Sequence, residues 1–338
     1  MTAAAPDMRA AVARGGAVEL STLPRPIARE GQVLVRIACA LVTPFEREVV
    51  RGLRASATGG PSDARILGSA FVGVVEDASR AGVGAPPRGT RVAVQPVFSC
   101  GICERCESGL AVHCLARMIV GLDAPAGGLA ELAAVPAASC VGIPRELDDE
   151  RAVFAVPLAR AIEAVRRGGI EGRSFVSVLG DDLFAVLAAL VGRDENPLAR
   201  LVATAPETLE IASKFGLRHR AFEETGRRGD QELVIDMTGS SESAAAAARM
   251  VRPRGHVVFG GITTRAPVGV DLSHLALDEI EIHGSGFAPI DAAVDRLARR
   301  AIDPSPLASR RVGLADAARA VALLAERDVL SVVVQVSR

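Results

Sequence analysis

The sequence predicts an α/β protein in two parts, a doubly wound parallel sheet and a separate β-rich lobe. Three observations carry that reading. First, from residue 174 onward apolar strands alternate with helices, beginning "SFVSVLG" then "LFAVLAALVGR". Strands apolar on both faces and separated by helices belong to a parallel sheet covered on both sides. Second, residues 8–50 instead alternate apolar with polar, as in "GQVLVRIACALV", the pattern of short half-buried strands. Third, 338 residues, 49% hydrophobic, with 33 Gly and 19 Pro, exceed one ordinary core and suit a compact fold with many tight turns.

Taken in order, the N-terminal strands run to about residue 50, and "RASATGGPSDAR" (54–65) reads as a mobile loop. "GTRVAVQPV" (89–97) resumes the strand pattern. "DDERAVFAVPLARAIEAVRRGGI" switches to a helical period, with acids at its start and Arg166, Arg167 and Gly168 at its end. The alternation continues with "ARLVATA", "PETLEIASKFG", "ELVIDMTG", "SESAAAAARMV" and "GHVVFGGI" as strand, helix, strand, helix, strand. Helical "PIDAAVDRLARRAI" and "LADAARAVALLAER" and a final strand "LSVVVQV" close the chain. The pattern changes near residues 150 and 290.

A formal charge of −1 excludes a general nucleic-acid or membrane-surface role, since both need a basic excess. Lys214 is the only lysine, a bias that fits a GC-rich coding sequence. No apolar run approaches the ~20 residues of a membrane span. The N-terminus "MTAAAPDMRAAVARGG" lacks the apolar core of a secretion signal, so a cytoplasmic location is expected.

Six cysteines are present, and "CGICERCESGLAVHC" gathers Cys100, Cys103, Cys106 and Cys114. Two-residue gaps let successive sulfurs converge on one ion, and the longer gap returns the fourth. Four thiolates make a closed shell, so a zinc here would hold a lobe together and catalyse nothing. Incidental clustering or redox thiols are the alternatives, and His113 is a competing ligand that Cys114 makes unnecessary. Cys39 reads as a buried core thiol.

At this point the chain resembles the medium-chain dehydrogenase/reductase superfamily, the zinc-type alcohol and polyol dehydrogenase kind, over nearly its whole length. The stretches "ELVIDMTGSSESAAAAARMVRPRGHVVFGGI" and "DPSPLASRRVGLADAARAVALLAERDVLSVVVQ" carry the likeness, with the four cysteines where the family's structural zinc ligands lie. The resemblance implies a GroES-like β-rich catalytic domain and a Rossmann doubly wound domain that binds a dinucleotide. The expected domains, 1–150 completed by 290–338 and 151–289, are what it implies. It also implies a catalytic zinc held by an early Cys, the His of a Gly-His-Glu triplet and a later acidic or Cys residue. In this chain those positions fall at Val42 or Thr43, at Ser69 in Gly68-Ser69-Ala70, and at Val156. None supplies a good zinc ligand, so the catalytic metal is expected to be lost. "TPFE" (43–46) looks like a relaxed version of the Asn-Pro-x-Asp that zinc-free quinone and enone reductases carry there.

The Rossmann turn runs Gly-x-Gly-x-x-Gly, so that backbone approaches the pyrophosphate. "SVLGDDLFAVLAA" keeps Gly180 and a small Ala185 but sets Asp182 at the second glycine. Asp182, with Asp181 beside it, either opposes the phosphates or turns outward to cap the helix. After the second strand, Ala203, Thr204 and Ala205 stand where NAD-binding members hold a ribose acid, which leans toward NADP(H). Lys214, Arg218 and Arg220 are candidates for a 2′-phosphate, or ordinary surface charges. Thr238 and Gly239 in "MTGS", and Gly260 and Gly261 in "FGGI", match the family's nicotinamide-side loops.

The expected activity is therefore a zinc-independent, NADP-preferring oxidoreductase acting on a small carbonyl or enone. The alternative is a non-redox member that has lost catalytic zinc and cofactor and works as a cofactor-free acid/base enzyme or a partner subunit. Thr43, Glu46, Glu48 and Ser69 are the candidate catalytic residues, with Glu46 alternatively tied to Arg47 or Arg51 in a salt bridge. His219, His256, His274 and His283 read as structural. One structural zinc per chain, a small-molecule substrate, and a homodimer or homotetramer through "EIEIHGSGF" (279–287) complete the expectations.

Overall fold

The computed structural model describes residues 7–53, 64–225, 229–261 and 272–337. The expected loop at 54–65 lies almost wholly outside these residues, as does Ile262 at the end of "FGGI". The chain divides into two compact units, Met1–Val156 with Pro289–Arg338, and Pro157–Ala288.

The first unit is built around the eleven-residue strand Gln32–Val42. It pairs antiparallel with Ala70–Asp77, with Leu132–Pro136 and with the C-terminal strand Val332–Gln335. That last pairing brings the end of the chain back into the first unit's sheet. Val33, Val35, Ile37, Leu41 and Val42 along the central strand are fully buried, so it runs through the core. A smaller antiparallel sheet joins Met8–Arg14 to Ala17–Leu23 and to Arg65–Ile66.

The second unit is a six-stranded, all-parallel sheet. Across it lie Arg218–Ala221, Arg200–Ala203, Val176–Leu179, Gln231–Asp236, Val251–Phe259 and Glu281–Gly284. In chain order these are the third, second, first, fourth, fifth and sixth strands, so the winding reverses between Val176–Leu179 and Gln231–Asp236. Val178, Leu179, Val202 and Val234 are buried on both faces, as the apolar runs predict. Two elements differ from the sequence expectation. "RHRA" is the edge strand Arg218–Ala221, whose charged residues hid it. The long helix breaks into Asp149–Ala152 and Ala155–Gly168 around Val153 and Phe154. Among the described residues no helix is long and apolar enough to cross a membrane.

Candidate functional site

Helix Pro44–Val50 begins with Pro at its first turn and Thr43 as its cap. Thr43 and Glu46 form a capping box: Phe45 N donates to Thr43 Oγ1, and Thr43 N and Oγ1 both donate to Glu46 Oε2 at 2.8 Å. The other oxygen, Oε1, accepts from Ser69 N at 2.8 Å and from Ser69 Oγ at 2.6 Å. Glu46 is only 1% exposed. Thr43 and Ser69, at two of the three places where the resemblance sets zinc ligands, are thus joined by a carboxylate that accepts four bonds. Val42 and Val156, also buried, add no donor atom.

This corrects two expectations. Glu46 is not tied to Arg47 or Arg51, and neither hydroxyl is left to donate to a substrate, since each gives its proton to Glu46. A neutral hydroxyl pair around a carboxylate does not fit a catalytic zinc. Glu48 stands two residues along the same helix, half-buried.

The four thiols of Cys100, Cys103, Cys106 and Cys114 do converge. Sγ–Sγ separations are 3.5 Å for Cys103–Cys106 and for Cys114–Cys100, 3.8 Å for Cys103–Cys114 and 4.0 Å for Cys100–Cys106. A tetrahedral zinc with its usual Zn–S bonds has ligand edges of about 3.8 Å, so the set fits the ion. The Cys106 N–H holds the Cys103 thiol down to about 6 and the Cys100 N–H depresses Cys114, while burial pushes the Cys106 thiol up to about 11. Cys39 is a core thiol, pushed up to about 12 by burial.

In the second unit a pocket of about 470 Å³ opens at the carboxyl ends of the parallel strands, lined among others by Gly180, Asp181, Thr204, Thr238, Ser243 and Arg249. Ligands of open α/β sheets bind at such a reversal of strand order. Gly180 has φ +143°, and a side chain there would meet the Ala185 Cβ at 2.8 Å, so the turn requires glycine. Asp182 caps helix Leu183–Glu195, accepting from Phe184 N at 3.0 Å and Ala185 N at 3.1 Å. These are amides of the kind a pyrophosphate uses. Asp181 turns away from that helix to the loop after the second strand. Its carboxylate accepts from Thr204 N and Ala205 N, both at 2.7 Å, and from Thr204 Oγ1 at 2.6 Å.

A third group was missed by sequence reasoning. Arg160 is 3% exposed, with its guanidinium 4.0 Å above the Phe184 ring centroid and 5.6 Å from that of Phe287. Its Nη2 donates to Gly260 O at 3.1 Å, in the loop that the resemblance assigned to the nicotinamide side. The signal was an arginine inside the apolar run "FAVPLARA".

The remaining candidates separate. Thr238 N and Oγ1 donate to Asp236 Oδ1 at 2.9 and 2.6 Å, which folds the "MTGS" loop back on its own strand. A side chain at Gly261 would meet Gly239 N at 1.9 Å, so both glycines are explained by the contact of their two loops. Lys214 lies in the last turn of helix Pro206–Lys214, whose opposite end follows Thr204, and it does not line the pocket. His219 is satisfied by Leu217 O and Ser213 Oγ, and His274 by Asp278 and Ala248 O. His256 and His283, expected as separate structural residues, instead come together.

Residues 29–145 match the family model described as alcohol dehydrogenase GroES-like domain. Over 322 residues the chain is 26% identical to the starvation-sensing protein RspB of Escherichia coli (strain K12), covering 90% of this chain and 91% of that one. Two solved structures share the fold with a TM-score of 0.86. One, from Sinorhizobium meliloti 1021, is described as a zinc-binding dehydrogenase bound to NADP. It is 24% identical, over 98% of this chain and 100% of that one. The other is an alcohol dehydrogenase, rspB, of Escherichia coli CFT073 complexed with NADH, 23% identical over the same shares.

Proposed function

We propose that the chain is an oxidoreductase of the medium-chain dehydrogenase/reductase superfamily working without a catalytic zinc, a reading supported by the GroES-like domain match and by the dehydrogenases it is similar to. NADP(H) would be the hydride carrier and a small carbonyl or enone the acceptor. The observation that carries this reading is the pocket at the strand-order reversal, with Gly180, Thr204 and Thr238 on its wall. Thr204 and Asp181 would face the adenosine ribose, and Gly180 would let the chain turn beneath the phosphates. Ala203, Thr204 and Ala205 bring no acid of their own to the strand end, which favours the phosphorylated cofactor, while the Asp181 carboxylate held by Thr204 and Ala205 counts against it.

When bound, NADPH supplies the hydride. The chain itself must free the first helical amides, because Asp182 holds them. Rotating that carboxylate outward exchanges one anion for another at the same helix end, and the loss of the cap costs about 1 kcal/mol. Thr43, Glu46 and Ser69 then act as a rigid wall in place of a metal. Glu48, half-buried on the same helix, is the proposed proton carrier. The proposal includes one structural zinc per chain on the four cysteines and a homodimer or homotetramer.

A second reading is favoured by three particular contacts, those of Asp181, Asp182 and Arg160. Together they set the chain's own charged groups against the ribose-side loop, the helix N-terminus and the Gly260 loop. That arrangement suits a member that takes no dinucleotide and serves as a binding or partner subunit. Titration with NADPH and NADH, followed by nicotinamide fluorescence, separates the two; with 0 Trp and 0 Tyr the protein adds little signal. Saturable binding to the natural chain, tightened tenfold or more by Asp182→Gly, supports the oxidoreductase. Glycine replaces a capping residue at a cost of only a few tenths of a kcal/mol, so folding does not confuse the result. Binding by the variant alone favours the second reading, and binding by neither ends the redox proposal.

A further inference from the structure

Two histidines and a glutamate meet on one face at the edge of the parallel sheet. Strands Val251–Phe259 and Glu281–Gly284 pair in parallel with His256 opposite Glu281 and Val258 opposite His283. Side chains two residues apart on a strand share a face, so Glu281 and His283 project together and His256 joins them from the neighbouring strand. His256 Nδ1 lies 3.4 Å from His283 Nε2 and 3.5 Å from Glu281 Oε2, and His283 Nε2 lies 3.6 Å from the same oxygen. The two rings are nearly parallel, 10° apart, with centroids at 5.7 Å.

The triangle is too wide for good hydrogen bonds, which run about 2.7–3.2 Å for N–H···O. It matches a metal's coordination face instead. With Zn–N near about 2.0–2.1 Å and Zn–O near about 2.0–2.2 Å, the edges of a tetrahedron are about 3.3–3.5 Å. One ring presents Nδ1 and the other Nε2, which is how imidazoles on adjacent strands can aim at one point.

We infer that His256, Glu281 and His283 form a second, open divalent-metal site for zinc or a similar imidazole-preferring transition ion. The Glu281 side chain is 62% exposed, which leaves room for water or an added ligand to complete the coordination. The site shares no residue with the four-cysteine set or with Val42, Thr43, Ser69 and Val156. It stands whether or not the chain binds NADPH.

The test is a metal count on the whole purified chain, stripped and titrated with Zn²⁺ and then with Co²⁺. Two ions per chain are expected, falling to one in the His256→Gln/His283→Gln double variant. Glu281→Gln should weaken the second ion at least tenfold while leaving the first. Cobalt in the second site should show ligand-field bands without the thiolate charge-transfer bands of the cysteine site. Far-ultraviolet circular dichroism of the variants confirms that they fold. One ion per chain in the natural protein, or a second ion retained by the double variant, overturns the assignment.

Discussion

Glu46 sets the chemistry of its neighbourhood more than any other single residue. Its two oxygens take four bonds, two from Thr43 and two from Ser69, inside the core. Glutamine keeps the shape but turns one of those oxygens into an NH₂, which then faces two donors. Glu46→Gln is therefore expected to lose about 2–4 kcal/mol of stability, the cost of two broken bonds and the buried donors they leave. Urea unfolding should show a lower midpoint with an unchanged m-value; a loss under about 0.5 kcal/mol, that of a surface change, would sink the argument. Half of this arrangement is local. "TPFE" holds a capping box with Pro at the first helical position, a signature present in the order of residues, though family likeness alone points elsewhere for its meaning. The bonds to Ser69 span 23 residues and needed the folded chain.

At the scale of elements, the end of strand Gln231–Asp236 shows how a loop is held. Asp236 is 2% exposed, and its Oδ1 accepts from Thr238 N, Thr238 Oγ1 and Ser243 Oγ. Burial raises its pKa from the ordinary 3.8, and the bonds from Thr238 and Ser243 only partly offset this. A carboxyl raised on folding binds its proton more tightly in the folded state. Its contribution to stability is then present below pH 3.8 and is lost as pH rises through the folded-state value. Asp236→Asn keeps the accepting oxygen and removes the charge. The variant should therefore gain stability relative to the natural chain as pH rises from about 4 to 7. Urea midpoints across that range check it, and parallel curves would contradict it. Sequence pattern found this strand, its helix and the loop between them. It missed strand Arg218–Ala221, because charged residues on an edge strand carry no apolar signature.

For the molecule as a whole, Glu46 and Asp236 lie in different compact units and share no hydrogen-bond partner. Their effects should add: the double variant Glu46→Gln/Asp236→Asn is expected within about 0.5 kcal/mol of the sum of the single changes. A larger interaction energy in a double-mutant cycle would show that the units couple. The family resemblance, the doubly wound sheet and the four-cysteine set follow from local pattern and short spacing, which are properties of the chain read in order. That Val42, Thr43, Ser69 and Val156, where the resemblance sets zinc ligands, are poor ones is legible in the same way, because residue types can be read wherever the chain runs.

What fills the vacated positions depended on folding. Asp182 caps its helix while Asp181 reaches the next loop, and two adjacent identical residues give no sign of which will do what. Arg160 finds Gly260 across 100 residues, and His256 finds His283 across 27. Apolar periodicity reports which face is buried, since burial scales with area and needs no particular partner. Hydrogen bonds and metal sites are directional and short-ranged, so their partners exist only once sheet register has set distant residues side by side.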